Sequence, residues 1–164
     1  MPSDVKQETV VVLGVGNLLR QDEGVGVHAV RALSSGPCAD RAELVDGGTA
    51  VFEALSQWRD IDKLVVIDAL RAGREPGSIA RVSLREVADR TAPALSVHEH
   101  GLLDQLALLK QAGLRVGEIV IYGVEPAQTG WGTELSEPVA SCLPLLEVHM
   151  ARELGWLPAE EKVI

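Results

Sequence analysis

The chain predicts a three-layer α/β/α domain, and three observations predict it. Apolar runs of strand length alternate with helix-length amphipathic stretches. Three of those runs, residues 9–13, 63–68 and 118–122, are nearly continuous Val, Ile and Leu, the pattern of parallel strands covered on both faces. No internal repeat, linker or low-complexity block interrupts the order, so 164 residues read as one domain, with residues 1–8 and 156–164 as tails.

In chain order, the strand at 9–13 runs into a glycine-rich turn, Gly14-Val15-Gly16-Asn17-Leu18-Leu19-Arg20-Gln21-Asp22-Glu23-Gly24-Val25-Gly26. A helix follows over 24–33, then a strand over 42–46 and a helix over 50–58. The strand at 63–68 leads through 71–77, with no helix, to a run at 78–84. That run alternates, with Ile79, Arg81 and Ser83 on one side and Ala80, Val82 and Leu84 on the other, as an edge strand does. The helix expected over 99–111 carries a stripe of Leu102, Leu106 and Leu109, joined by Leu103. After the strand at 118–122, a last helix over 137–154 buries Val139, Cys142, Leu143, Leu146, Met150 and Leu154. Ser136 is its expected N-cap and Pro144 should kink or delay it.

Composition excludes several classes. A net charge of -9 disfavours nucleic acid, and 3% aromatic residues leave no base-stacking platform. The first residues are polar and lack the apolar stretch of a signal peptide, and every apolar run is too short to insert in a membrane. Cys38 and Cys142 form no close pair and read as free thiols of a cytoplasmic protein.

In an open α/β sheet, ligands bind beyond the carboxyl ends of the strands, near a switch point. Five polar residues fall there: Glu23 after the first strand, Asp46 and Asp68 ending the second and third, His98 before the third helix, and Glu125 after the fifth strand. Asp68 stands out, because a carboxylate in an apolar parallel strand is costly to bury without a partner. Glu23, Asp68 and His98 together would offer two carboxylates and an imidazole, a donor set for a borderline divalent metal such as nickel or zinc. Each also has a plainer reading: a helix-start carboxylate, a turn former and a solvated helix residue. His28, His100 and His149 read as packed or solvated helix residues, and 71–75 as an exposed loop.

The motif G-x-G-N-x-L-x-x-D-E-G-x-G resembles the N-terminal signature of the nickel–iron hydrogenase maturation endopeptidases. Asp46-Gly47-Gly48-Thr49, Ile67-Asp68-Ala69, Ser96-Val97-His98 with Gly101-Leu102, Gly123-Val124-Glu125-Pro126 and Leu135-Ser136-Glu137-Pro138-Val139 follow in family order, so the resemblance covers roughly residues 10–154. Val97 departs from it, where many relatives have proline. The resemblance implies a five-stranded, mostly parallel sheet with one antiparallel strand and helices on both faces, of the phosphorylase/hydrolase-like kind. It implies removal of a C-terminal extension from the hydrogenase large-subunit precursor once nickel is in place. By the same resemblance, Glu23, Asp68 and His98 bind nickel supplied by the substrate, and no permanently bound cofactor is expected.

A metal could polarise the scissile carbonyl or acidify a bound water. A carboxylate could act instead as general base, and Asp46 is the candidate, although an Asp before two glycines is also a turn former. Two rival functions remain at this stage. A dinucleotide-dependent oxidoreductase is disfavoured because Leu19 occupies the third glycine of G-x-G-x-x-G and Asp22 and Glu23 would repel a pyrophosphate. A nickel chaperone without catalysis would share the ligands, but the chain has no His-rich or Cys-rich tract.

Overall fold

Apolar runs become six strands and amphipathic stretches become five helices in the computed structural model, which describes residues 7–88, 96–97 and 101–158. The strands are β1 (Val10–Val15), β2 (Glu43–Gly48), β3 (Asp60–Arg71), β4 (Ile79–Ser83), β5 (Ser96–Val97) and β6 (Arg115–Val124). The helices are α1 (Val25–Leu33), α2 (Val51–Leu55), α3 (Leu84–Ala88), α4 (Leu102–Gln111) and α5 (Glu137–Glu153). The main sheet has the order β2-β1-β3-β6-β4. β1 pairs in parallel with β2 and β3, and β3 with β6, while β4 lies antiparallel on the β6 edge. This is the expected five-stranded, mostly parallel sheet with one antiparallel strand. The two-residue β5 is an addition, paired antiparallel with the end of β3.

Alternation along each strand feeds two cores. Leu13, Leu64, Val66, Leu70 and Ile121 face α2, α3 and α4. Val12, Val65, Ile67, Val120 and Val124 face α1 and α5. Each fully buried Leu or Ile contributes about 1.5–3 kcal/mol relative to exposure. The stripe Leu102, Leu106 and Leu109 is buried on α4, and Val139, Cys142, Leu146 and Met150 on α5.

The differences from the sequence reading have local causes. β3 does not stop at Asp68 but continues to Arg71, because Ala69 and Leu70 find partners in Val124 of β6 and Val97 of β5. β2 likewise runs past Asp46, since Gly48 pairs with Val15 across an irregularity in β1. Leu84 begins a short helix instead of closing the edge strand. α2 ends at Leu55, and the expected helix start at residues 99–100 lies outside the described residues. α5 is assigned without a break through Pro144: Pro144 and Ala140 are exposed, so the carbonyl that loses its donor can be hydrated.

At the end of the sheet remote from the β1 and β3 carboxyl termini, Glu153 fastens α5 to the strands. It pairs with Lys63 and Arg81 and accepts from the Tyr122 hydroxyl. Burial alone would raise its pKa, but those bonds hold it down to about 2. Beyond α5, the Trp156 N–H donates to the Ala151 carbonyl at 2.7 Å, and the Arg41 guanidinium lies 4.6 Å from the Trp156 ring centre. The outer parts of both expected tails, 1–6 and 159–164, lie outside the described residues.

Candidate active site at the switch point

β1 and β3 are neighbours, yet the chain leaves β1 for β2 on one side and returns to β3 on the other. Their carboxyl ends therefore form the topological switch point, where a crevice is expected. Two glycines let the backbone close tightly there. A Cβ on Gly26 would overlap the Ile67 carbonyl, so a side chain at this position would lift the start of α1 off β3. A Cβ on Gly16, whose φ of 137° favours glycine, would overlap the Glu23 carbonyl. The one-turn 3-10 helix Gln21–Gly24 is thereby pressed against the end of β1. The Asn17 side chain shapes the same turn by accepting from the Leu19 N–H at 2.9 Å.

The two adjacent carboxylates of this turn separate in function. Asp22 is 0% exposed and fully engaged. Its Oδ2 accepts from the Ala127 N–H at 2.9 Å, the Gln128 N–H at 2.8 Å and the Ser136 hydroxyl at 2.8 Å. Its Oδ1 accepts from the Ser136 N–H at 2.7 Å. Burial would raise its pKa, but the bonds from Gln128, Ser136 and Ala127 more than offset it, and the carboxyl lies below its ordinary value. Ser136 does sit at the N-cap of α5, with extended backbone, but its hydroxyl goes to Asp22 and not to the helix. Glu23, the next residue, lines a cavity of about 310 Å³.

Asp68 faces the same cavity from β3, with Val15, Gly48, Thr49, Leu102 and Gln105 around it. It shares the face of Val66 and Leu70, toward α2 and α4. It is 2% exposed, and its Oδ1 accepts from the Ala69 N–H at 2.8 Å. Its Oδ2 is buried with no hydrogen-bond partner among the described residues. Burial raises its pKa to about 8; the Ala69 bond opposes that shift and the charge of Glu23 adds to it. The chemistry fits a cation: an orphaned buried oxygen beside a second carboxylate is relieved by positive charge.

The remaining predicted residues have other placements. His98 lies outside the described residues, as do Glu99 and His100. Val97, the residue before His98, pairs with Leu70, two residues past Asp68. Among the described residues no three His, Cys, Asp or Glu side chains gather as a metal site. Asp46 does not line the cavity: it is exposed, and its Oδ2 accepts from Arg31 Nη2 at 3.0 Å. Glu125 is buried, and its Oε2 accepts from the Ala72 N–H at 2.7 Å, a bond that fixes the loop between β3 and β4. His28 is half-buried on α1, and His149 packs its ring against Tyr122. Cys38 and Cys142 are buried free thiols, both raised in pKa chiefly by burial.

Sequence reasoning missed the structural role of Asp22 and the part played by Gln105. The Gln105 Oε1 accepts from the Phe52 N–H at 2.9 Å and ties α4 to α2 beside the cavity. Signals were present in the conjunction of Asp22 with Ser136 and in a polar residue within the leucine stripe. Their pairing across 114 and 53 positions is visible only in the fold.

Comparison with known proteins decides what this crevice belongs to. A family model described as hydrogenase maturation protease matches residues 27–153. The chain belongs to the hydrogenase maturation proteases. The matched span holds Asp68, while Glu23 precedes it. Among relatives of this family, the hydrogenase expression/formation protein HupM of Azotobacter chroococcum is 36% identical over 146 residues, covering 87% of this chain and 70% of its own. The hydrogenase 2 maturation protease of Escherichia coli is 32% identical over 157 residues, covering 94% and 88%. Among solved structures, the hydrogenase maturating endopeptidase HybD from Escherichia coli superposes with a TM-score of 0.75 at 30% identity, covering 90% of this chain and 93% of that one. The NiFe hydrogenase maturation protease HybD from Thermococcus kodakarensis gives 0.74 at 27% identity, covering 89% and 98%. This maturation protease is accordingly an endopeptidase, a peptide-bond hydrolase. Among the described residues no helix is long and apolar enough to cross a membrane.

Proposed function

We propose that this maturation protease removes the C-terminal extension of a nickel–iron hydrogenase large-subunit precursor after nickel insertion. In this reading it recognises the substrate's own nickel through Glu23, Asp68 and His98. The observation that carries it is Asp68 Oδ2, buried without a donor among the described residues at a cavity that Glu23 also lines. A permanent structural role would have given that oxygen a hydrogen bond, as Asp22 has. Nickel arrives with the precursor, so the protease needs no resident cofactor.

The division of labour follows from the geometry. Asp68 is fixed within β3 and supplies a rigid ligand, while Glu23 sits on a short turn and supplies an adjustable one. His98 follows a residue anchored to the end of β3, which supports its place as the third. Nickel supplies charge that polarises a carbonyl or a bound water at the scissile bond. A base role for Asp46 has weaker support, because Arg31 already holds its exposed carboxylate outside the cavity. We place the reaction in the cytoplasm on the two unpaired, buried cysteines.

The test uses the nickel-loaded precursor and mass spectrometry of its C-terminus. The protein should shorten the precursor, and Glu23→Gln or His98→Ala should leave it intact. An uncut loaded precursor with the unaltered protein overturns the reading. Equal cutting of a nickel-free precursor rejects the metal tag and keeps the protease.

A further inference from the structure

We propose that Arg20 is the resident counter-ion of Glu23, and that a divalent cation must displace it to bind. This rests on reading Glu23 and Asp68 as cation ligands. A cavity that gathers such donors would collect any stray divalent ion unless something opposed it. Arg20 supplies the opposition. Its Nε lies 3.7 Å from Glu23 Oε2, with the two side chains 35% and 14% exposed.

Three features distinguish this pair from an incidental surface bridge. The backbone of Arg20 is fixed: its N–H donates to the Asn17 carbonyl at 3.0 Å, its carbonyl accepts from the Glu23 N–H at 3.1 Å, and it forms a bridge with Gly132. The next residue, Gln21, adopts a φ of 49°, rare for a side-chain-bearing residue, and is held by the Gly132 carbonyl and by its own contact with the Gly130 N–H. Finally, the guanidinium lies 5.1 Å from the ring centre of Trp131, which is 77% exposed. The ring gives the cation a partner that does not depend on Glu23.

The contact is built to be broken. Among the described residues Arg20 Nε is buried and makes no hydrogen bond, so its hold on Glu23 through this atom is Coulombic, not directional. A free ion must bear the cost of that release and the repulsion of a nearby guanidinium. Nickel presented by a docked precursor meets the same cost at high effective concentration, where it is readily overcome. Arg20 is thus a positioning residue that sets a threshold, in keeping with the proposed reading in which nickel arrives with the precursor.

Isothermal calorimetry with Ni²⁺ alone tests this on the whole chain and needs no turnover. Arg20→Gln should bind Ni²⁺ about three- to tenfold more tightly than the unaltered protein. Arg20→Lys, which keeps the charge, should stay close to the unaltered affinity. In a Glu23→Gln background the Arg20→Gln gain should shrink, since only the repulsion by the guanidinium is left to relieve. Equal or weaker binding by Arg20→Gln, or a gain undiminished without the Glu23 carboxylate, overturns the proposal while leaving Glu23 a ligand. If Glu23→Gln alone leaves Ni²⁺ affinity unchanged, the ligand reading of Glu23 fails and takes this proposal with it.

Discussion

Asp22 and Asp68 are carboxylates at the same end of the same sheet, both sealed from solvent, yet they behave as opposites. Asp22 accepts four hydrogen bonds and its pKa falls. Among the described residues Asp68 accepts one and has an oxygen with no donor, and its pKa rises to about 8. Burial is common to both, so burial does not identify a reactive carboxylate. The number of donors aimed at it separates them: the saturated one is a fastener, and the starved one is the proposed ligand.

The sharpest break between them is functional. Asp68→Asn should lower precursor cleavage by at least about 100-fold, since a lost ligand removes several kcal/mol of charge stabilisation. The same variant should fold as well as the parent, because burial already keeps this carboxyl protonated at neutral pH and the neutral amide resembles that form. A cleavage assay beside a denaturation curve checks both halves. Cleavage within a few-fold of normal would remove Asp68 from the site.

Asp22→Ala should reverse the pattern. Three backbone N–H groups and one hydroxyl would lose their acceptor at once, costing about 3–5 kcal/mol of stability. Urea denaturation would show it as a lower midpoint. Activity measured well below that midpoint should fall less than in Asp68→Asn. A loss under 1 kcal/mol would mean the loops at 127–128 and 136 are held by other contacts.

The contrast marks how far the sequence carries. The parallel core was legible because Val, Ile and Leu fill both faces of β1, β3 and β6, and the edge position of β4 because its side chains alternate. Glu23 and Asp68 could be addressed to one rim because strand ends in such sheets share it. The split between Asp22 and Glu23 was illegible, since it depends on donors more than 100 positions away. The two-residue β5 was hidden for a similar reason: Ser96-Val97 has no periodicity of its own and is a strand only by pairing with Leu70 and Arg71. The contact of Arg20 with Trp131 joins positions too far apart for any local pattern to reveal.

The pH dependence sharpens the comparison further. The pKa of Asp68 rises from 3.8 to about 8 on folding, so between those values the folded state keeps a proton that the unfolded state releases. Its contribution to stability is therefore full below pH 3.8 and is lost as pH rises through about 8. Denaturation curves between about pH 5 and pH 9 should show the parent losing on the order of 4 kcal/mol relative to Asp68→Asn. For Asp22 the sign is opposite: its depressed pKa contributes stability at neutral pH that disappears on acidification through the carboxylate range. Parallel curves for the parent and Asp68→Asn would mean that the carboxyl is hydrated or paired.

A third carboxylate tests whether donor number is the right criterion. Asp46 is exposed and, among the described residues, held by Arg31 alone, so it is neither a saturated fastener nor a starved ligand. Asp46→Asn should change stability by no more than about 0.5 kcal/mol, the ordinary worth of an exposed pair. Cleavage should stay within about twofold, because removing a carboxylate outside the cavity alters no charge at the scissile bond. Both readings come from the assays already applied to Asp68→Asn. A 100-fold loss of cleavage with unchanged folding would assign Asp46 the general-base role and require Arg31 to swing away when the precursor docks. In that case the environment that matters is the one the substrate completes, and counting donors in the free protein would find ligands but miss bases.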